Sequence, residues 1–190
     1  MNGAAEWDAR FRAGDHADSS PDPFLLSAKE ALSLLPAGAR ALDLACGAGR
    51  HAVWLAAQGF AVTAVDFSSE ALHKTGLLAG QRGVAVDCRQ LDLESPAADL
   101  GCEAYDLIAG FFFLHRPLFP ALRAALRPAG LVIYKTYSAD QLRYPGRPRH
   151  RMHLLEHNEL LRLFDGFRVL LYEERWAPAG TAAIVAQKPA

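Results

Sequence analysis

Short apolar runs alternate with helical patterns along most of the chain. The run at residues 41–45 leads into a glycine turn, a helical stretch at 50–58 and a second apolar run at 60–65. Strand, turn, helix and strand in this order form a βαβ unit. Because these strands are apolar on both faces, the pattern predicts a parallel sheet covered by helices on both sides.

The alternation continues to residue 137. It predicts helices at residues 68–80 and 118–126, and strands at 84–91, 105–113 and 131–137. Each strand is separated from the next by enough chain for a crossover, as parallel pairing requires. The fold class predicted from this pattern is therefore α/β, a doubly wound Rossmann-like sandwich.

The pattern changes after residue 137. A polar, arginine-rich loop reaches about residue 153, a helix follows near 156–164, and two apolar runs lie at 167–173 and 182–187. Pro178-Ala179-Gly180 between those runs suits a hairpin. We therefore expect a mostly parallel seven-stranded sheet that ends in an antiparallel hairpin.

The first 23 residues are polar and rich in turn formers. Pro21 and Pro23 disfavour helix in the residues before them, so this segment is predicted to be an N-terminal arm or lid with one helical turn around Trp7 and Phe11. Residues 24–35 carry apolar positions at helical spacing and open a single domain spanning 24–190.

Composition narrows the class of protein. The 190 residues are 51% apolar and 22% charged, with 20 Lys and Arg against 21 Asp and Glu, so no overall field favours nucleic acid or a membrane surface. From the polar N-terminal residues we expect no targeting segment, and no apolar run is long enough to predict a membrane span. Three cysteines without short paired spacing indicate reduced thiols. These features predict a cytoplasmic protein without nucleic-acid or membrane partners.

The turn after the first strand carries the first candidate chemistry. In an open parallel sheet, ligands bind beyond the carboxyl ends of the strands, where Gly47 and Gly49 lie. The stretch from Gly47 to Ala52 also fits the loose G-x-G-x-x-G/A pattern of dinucleotide sites. Asp43, inside the strand, argues against a pyrophosphate and suits a cationic ligand, such as the ammonium of S-adenosylmethionine.

Two further carboxylates follow successive strands. Asp66 ends the second strand and can accept both ribose hydroxyls, whereas Asp92 ends the third and can accept an adenine amino group, with Leu91, Leu93 and Phe67 as apolar walls. Strand-end aspartates also cap the helices that follow them, and that alternative stays open for all three carboxylates.

These motifs resemble the class I S-adenosylmethionine-dependent methyltransferase superfamily. Residues 42–49 resemble its first motif, 65–68 its second, 105–108 its fourth-strand motif and 126–130 its turn before strand five. Within the superfamily, residues 7–11 and 49–55 and the order of the C-terminal elements are most similar to the small tellurite-resistance-type and thiopurine-type enzymes.

The resemblance implies a cofactor and its contacts. The cofactor would be S-adenosylmethionine, and the implied contacts are Asp43, Ala45, Gly47, Gly49, Asp66, Phe67, Asp92, Leu93 and Phe111. Two positions depart from the family pattern, since Ala45 and Ala129 stand where glycines are usual. Alanine is small, so we expect cofactor binding to survive both changes.

The acceptor site is predicted at the mouth of the same pocket. His115 follows the fourth strand and is a candidate base, with helix capping or a surface position as the alternatives. Lys135 and Tyr137 alternate at the end of strand five as candidate acceptor contacts, with packing the alternative for Tyr137. Methyl transfer from a sulfonium relies on positioning in a dry pocket, so a catalytic base is optional.

Two other clusters have weaker claims. Arg143, Arg147, Arg149 and Arg151 could clamp an anionic acceptor or simply form a solvated loop. His153 and His157 are four residues apart, but no carboxylate or cysteine stands at ligand spacing beside them, so we expect no metal site.

The sequence favours methyl transfer to a small-molecule acceptor whose nucleophile can be sulfur, selenium, tellurium, oxygen or nitrogen. No Asp/Asn-Pro-Pro-aromatic motif follows the fourth strand, where residues 110–113 read Gly-Phe-Phe-Phe, which argues against nucleic-acid amino groups. Two alternatives stay open: an NAD(P)-binding oxidoreductase, and a non-catalytic binding module with a methyltransferase fold. The oligomeric state is not predicted.

Overall fold

The computed structural model describes residues 3–14, 18–146 and 148–190. Its centre is one seven-stranded sheet with the strand order β3-β2-β1-β4-β5-β7-β6. The strands are β1 Arg40–Leu44, β2 Ala61–Asp66, β3 Val86–Gln90, β4 Tyr105–Phe111, β5 Leu126–Tyr137, β6 Arg168–Arg175 and β7 Thr181–Gln187. The first five strands pair in parallel, whereas β7 runs antiparallel to both β5 and β6. The predicted fold class and C-terminal hairpin are confirmed.

Helices cover both faces of this sheet. They are α1 Ala4–Arg12, α2 Pro23–Ser27, α3 Lys29–Leu32, α4 Arg50–Ala57, α5 Ser69–Gln81, α6 Phe119–Ala125 and α7 Glu159–Leu163, with short 3-10 turns at Arg116–Leu118, Ala139–Arg143 and Arg151–His153. Side-chain caps fix two of the helix starts. Asp22 Oδ1 accepts the Phe24 N–H at 2.8 Å, and Ser68 Oγ accepts the Ala71 N–H at 3.1 Å.

The alternation of side chains along the strands divides the core into two layers. Leu42 and Leu44 of β1 pack on one face with apolar residues of α6 and α7. Ala41 of β1 packs on the other face with residues of α2, α3 and α4. Successive side chains of a strand point to opposite faces, so the apolar runs seen in the sequence are those of a sheet buried on both sides.

Three elements differ from the sequence prediction. The arm holds a nine-residue helix rather than one turn, and the Trp7 and Phe11 rings on it lie 5.9 Å apart. The predicted helix at residues 24–35 is two short helices that meet at Ala28. Its apolar stripe stays buried across the break, because periodicity encodes which face is buried and not whether the helix is continuous.

Strand β5 also begins earlier than predicted, at Leu126 rather than Leu131. Leu126 pairs with Tyr105 of β4 before a shift in register, after which Leu131 pairs with Leu107. Residues 127–130 are therefore an irregular part of the strand, although the sequence reads as a turn.

The order in which successive strands are added to the sheet reverses beside β1. Strands β2 and β3 lie on one side of β1, and β4 and β5 lie on the other. Loops leaving the carboxyl ends of β1 and β4 therefore diverge and leave a crevice, which is where open α/β sheets bind their ligands.

Candidate functional site

The turn after β1 is built from left-handed residues. Ala45, Gly47 and Gly49 have φ angles of 50°, 55° and 81°. Glycine adopts this region without steric cost, whereas alanine does not. The glycine pattern in the sequence therefore reports backbone conformation, and Ala45 occupies a position that glycine would satisfy better.

Gly49 is required for a second reason. A Cβ added at Gly49 would lie 2.5–2.8 Å from side-chain atoms of Thr75 on α5. The Thr75 hydroxyl in turn donates to the Gly47 carbonyl at 3.0 Å. The space that Gly49 leaves is thus filled by α5 rather than left open for a ligand, a packing role that the sequence pattern did not reveal.

Asp43 lies beneath this turn, one residue before the end of β1. Its side chain is 1% exposed, and its Oδ2 atom has no hydrogen-bond partner among the described residues. Burial raises the pKa of Asp43 to about 7, although the Ala52 N–H and the Arg50 charge favour the ionised form. A buried acceptor without a partner carries a free-energy penalty that a hydrogen-bonding cation would relieve.

Asp66 ends β2 and lies beside the same turn. Its carboxylate accepts the Gly47 N–H at 2.9 Å and the Ser68 N–H at 3.0 Å. Burial raises the pKa of Asp66, and these backbone N–H groups work in the opposite direction. A carboxylate has about four acceptor positions, so Asp66 retains capacity for ligand hydroxyls. The structure therefore places Asp43, Gly47 and Asp66 around the same turn.

The third predicted carboxylate is more peripheral. Strand β3 ends at Gln90, two residues before Asp92, which is exposed and accepts the Glu94 N–H at 3.0 Å. This contact closes a local turn and caps no helix, because no helix lies among the described residues between β3 and β4. Leu93 beside it is buried and Phe67 is half-buried, so an apolar wall exists next to β2.

Lys135 does not project freely into the crevice. Its Nζ lies 2.8 and 3.0 Å from the two carboxylate oxygens of Asp22, 113 residues away in sequence. Both side chains are largely buried, at 14% and 7% exposed. Lys135 therefore anchors the end of the N-terminal arm to β5, a role that the strand pattern alone did not indicate.

The remaining predicted site residues, the acceptor candidates Tyr137 and His115 and the cofactor contact Phe111, lie near the same edge. Tyr137 is half-buried, and its ring lies 5.1 Å from the exposed ring of Phe112. Phe111 is buried and stacks on His51 with 4.1 Å between ring centroids. His115 is half-buried before the 3-10 turn and makes no side-chain cap to it.

Sequence reasoning missed His51 and Asp22. His51 Nε2 accepts the Asp22 backbone N–H at 3.2 Å, and burial lowers the pKa of His51 to about 3, so the ring stays neutral. Asp22 precedes Pro23, which is a helix-start signal that predicts its cap on α2. Neither long-range contact has a local signal in the sequence.

Helix α1 covers the turn. Asp8 Oδ1 accepts the Ser68 hydroxyl at 2.5 Å and the Glu70 N–H at 3.3 Å. The Phe11 ring is buried over Gly47, and Lys74 donates to the Phe11 carbonyl. The arm therefore packs directly on the glycine turn and on the start of α5, next to Asp66.

The arginine-rich loop does not converge on this site through its described contacts. Arg143 pairs with Asp140 at 3.4 Å, Arg149 donates to the Leu142 carbonyl, and Arg151 pairs with Glu156 at 3.6 Å. Arg147 lies outside the described residues. Within residues 3–14, 18–146 and 148–190, no three His, Cys, Asp or Glu side chains are grouped to hold a metal ion.

The fold is a Rossmann-like sandwich with a glycine turn and two buried carboxylates, Asp43 and Asp66, where the strand order reverses. Residues 41–130 match the family model described as a methyltransferase domain. Over 113 residues the chain is 31% identical to the ubiquinone biosynthesis O-methyltransferase of Azotobacter vinelandii, covering 57% of this chain and 48% of that protein. It is 36% identical over 72 residues to the thiopurine S-methyltransferase of Gluconobacter oxydans, covering 37% and 33%.

A solved structure agrees with the fold over nearly the whole chain. TehB from Haemophilus influenzae superposes with a TM-score of 0.73 at 16% identity, covering 95% of this chain and 67% of that one. The chain is therefore similar to S-adenosylmethionine-dependent methyltransferases, in sequence over residues 41–130 and in fold over most of its length. It spans about half the length of the ubiquinone biosynthesis relatives that it matches. In the described part of the chain, no helix is long and apolar enough to cross a membrane.

Proposed function

We propose that this protein transfers the methyl group of S-adenosylmethionine to a small-molecule acceptor. The observation that carries the proposal is the buried Asp43 Oδ2, which lacks a partner among the described residues and lies beneath a left-handed turn at the point where strand order reverses. Such a group suits an ammonium donor and is poorly suited to a pyrophosphate. It therefore favours the methyltransferase over the oxidoreductase alternative.

The other site residues fit the remaining parts of this cofactor. Asp66 has acceptor capacity for the ribose hydroxyls. Phe67 and Leu93 offer apolar surface and Asp92 a carboxylate, a combination that suits the adenine ring and its amino group. Ala45, Gly47 and Gly49 hold the backbone of the turn in place. When bound, the cofactor supplies an electrophilic methyl group on a positive sulfonium.

The protein's own part in the reaction is to position the acceptor and exclude water. Asp43, Asp66 and the glycine turn would hold the cofactor, which would supply its methyl group to the acceptor heteroatom and leave as S-adenosylhomocysteine. His115, Lys135 and Tyr137 stay predictions as acceptor contacts. Since Lys135 forms an ion pair with Asp22, that lysine would act by holding the end of the N-terminal arm against β5 beside the site.

Four finer assignments belong to the same proposal: the subfamily, the acceptor atom, the location and the role of the N-terminal arm. The resemblance to TehB supports a relationship to tellurite-resistance-type enzymes, and the thiopurine relative supports a sulfur acceptor, although the ubiquinone relatives point to oxygen. We keep the cytoplasm as the proposed location and the N-terminal arm as a proposed lid. Acceptor screening would test the acceptor atom, and cell fractionation would test the location.

Calorimetry tests the proposed cofactor. We expect S-adenosylmethionine and S-adenosylhomocysteine to bind saturably and NADH not to bind. Asp43→Asn and Asp66→Asn should each weaken adenosyl binding at least tenfold, or about 1.4 kcal/mol. Asp165→Asn, an exposed change after α7, is the matched control. Preferential NADH binding would overturn the proposal, and cofactor binding without turnover on a broad acceptor panel would support the non-catalytic module.

A further inference from the structure

Phe112 is an exposed aromatic residue held in a left-handed conformation. It follows β4 directly, with a φ angle of 58° and a side chain 38% exposed. Its N–H donates to the Lys135 carbonyl at 2.8 Å, which continues the β4–β5 ladder. Glycine or asparagine would suit this backbone better, and an exposed ring adds little to the core. Strained residues of this kind concentrate where ligands bind.

Tyr137 forms a wall together with Phe112. The two rings stand at the ends of adjacent strands, with centroids 5.1 Å apart and planes inclined by 45°. Burial raises the pKa of Tyr137, so its phenol is neutral at physiological pH. Their strands lie on the β4 side of β1, next to the strand that carries Asp43. The crevice therefore has an aromatic wall on the side away from the ribose carboxylate, Asp66.

Arg50 adds a positive charge to this wall. Its guanidinium carbon lies 5.9 Å from the Phe112 ring centroid, and its side chain is 26% exposed. Its ion pair with Asp18 is long, at 3.7 Å, and the Asp18 side chain is 67% exposed, which makes the pair weak. Lys135 also faces the Phe112 ring, but Asp22 already holds it. Arg50 is therefore the better placed of the two to turn its donors to a ligand anion.

We propose that the methyl acceptor is a flat aromatic or heteroaromatic molecule that carries an anionic group such as a carboxylate. Its ring would pack against Phe112 and Tyr137, and its anion would be held by Arg50, whose planar fork matches a carboxylate. This inference rests on the proposed function and specifies its acceptor. It disfavours inorganic oxyanions, which have no ring to use the aromatic wall.

The test compares acceptors that differ in one feature. The full chain, saturated with S-adenosylhomocysteine for binding or supplied with S-adenosylmethionine for turnover, is given 4-mercaptobenzoate, 3,4-dihydroxybenzoate, thiophenol, 3-mercaptopropionate and tellurite. We expect at least one of the two aromatic acids to have a kcat/KM at least tenfold above those of thiophenol, the aliphatic acid and tellurite. Binding is followed by calorimetry and methylated products by mass spectrometry.

Two variants separate the ring contact from the charge contact. Arg50→Met should reduce the preference for 4-mercaptobenzoate over thiophenol at least tenfold. Phe112→Gly suits the left-handed backbone, so it should fold at least as well as the natural chain while raising KM for aromatic acceptors at least tenfold. The control is Leu77→Ala, which truncates an exposed apolar side chain on α5. It should change neither the preference for 4-mercaptobenzoate over thiophenol nor the KM for aromatic acceptors.

The outcomes distinguish this inference from the function on which it rests. Failure of the natural chain to bind S-adenosylhomocysteine overturns the proposed function and the acceptor class with it. Binding of S-adenosylhomocysteine without binding or methylation of either aromatic acid overturns the acceptor class alone. Equal or faster turnover of tellurite or 3-mercaptopropionate does the same, and so does an unchanged preference in Arg50→Met.

Discussion

Asp43 illustrates how a buried carboxylate with an oxygen unpartnered among the described residues lowers the stability of the fold. Burial raises the pKa of its carboxyl to about 7, well above the ordinary value of 3.8. The folded state therefore holds a proton that the unfolded state releases between these two pH values. The free energy of unfolding consequently falls as pH rises from about 4 to 7.

Replacing Asp43 by asparagine should remove this pH-dependent loss. The natural chain should lose stability as pH rises from 5 to 8, and Asp43→Asn should not. The unfolding free energy of the variant relative to the natural chain should therefore increase by about 1–3 kcal/mol over this range, since each pKa unit corresponds to about 1.4 kcal/mol. Urea denaturation at both pH values measures the change. Asp165→Asn serves as control, and an equal effect of Asp43→Asn at the two pH values would contradict the argument.

Ala45 and Ala129 are left-handed at φ angles of 50° and 60°. Replacing a left-handed alanine by glycine removes about 1–2 kcal/mol of steric strain from the folded state. The greater freedom of glycine in the unfolded chain lowers the unfolding free energy by about 0.4–1 kcal/mol. Ala129→Gly should therefore raise the unfolding free energy by about 0.5–1 kcal/mol. Ala45→Gly should gain less, because the Ala45 methyl packs partly against the core.

Urea denaturation checks this prediction as well. The control is Ala124→Gly, in the exposed face of α6, where glycine should destabilise by about 1 kcal/mol. Loss of stability in Ala129→Gly as large as that of the helical control would show that the left-handed backbone is not a cost.

At the scale of elements, α1 is the part of the arm that contacts the site. Asp8 ties it to the loop after β2, and the ring of Phe11 lies over Gly47. If the arm is a lid, cofactor release requires α1 to move. Lid opening commonly sets the rate at which ligands leave a closed site.

Asp8→Ala should therefore make S-adenosylmethionine dissociate about tenfold faster, with a smaller effect on association. Amide hydrogen exchange in α1 should also become faster, because the helix loses two of its anchoring hydrogen bonds. Stopped-flow displacement and exchange mass spectrometry measure the two effects. Glu6→Gln, on the exposed side of the same helix, is the control, and unchanged dissociation in Asp8→Ala would argue against a lid.

At the scale of the whole molecule, Asp22 joins three distant parts of the chain. Its carboxylate holds Lys135 of β5 and caps α2, and its backbone N–H donates to His51 of α4. Removing one partner of a buried ion pair leaves an uncompensated charge. The arm, the glycine-turn helix and the central sheet should therefore lose stability together.

Lys135→Met should lower the unfolding free energy by about 3–5 kcal/mol, and the double variant Lys135→Met with Asp22→Asn should recover part of the loss. A double-mutant cycle measured by urea denaturation gives the coupling energy. Additive losses in the double variant would show that the two side chains do not act as a pair.

His51 should make the protein sensitive to acid. Burial lowers the pKa of the folded ring from 6.5 to about 3, so the unfolded state takes up a proton that the folded state refuses. Stability from this residue is full above pH 6.5 and is lost as pH falls toward 3, by about 2–3 kcal/mol at pH 4.5. His51→Gln should be less acid-sensitive than the natural chain in pH-dependent unfolding, and a parallel pH profile would contradict this.

The sequence by itself determined the α/β fold class with its mostly parallel sheet and the helices on both faces. It also determined the position of the glycine turn, with Asp43 and Asp66 beside it. These features depend on short-range information, because side-chain periodicity selects helix or strand and the carboxyl ends of parallel strands share one edge. The sequence predicted a glycine turn there, and the structure added that Ala45, Gly47 and Gly49 are left-handed.

Only the tertiary structure decided the partners of these residues. The Asp22–Lys135 pair spans 113 positions, Thr75 fills the space beside Gly49, and the break at Ala28 leaves the apolar stripe intact. Each depends on how elements distant in sequence pack, and local periodicity carries no information about such contacts. The roles of Lys135 as an anchor and of Arg50 as a cation facing the aromatic wall therefore became visible only once the chain was folded.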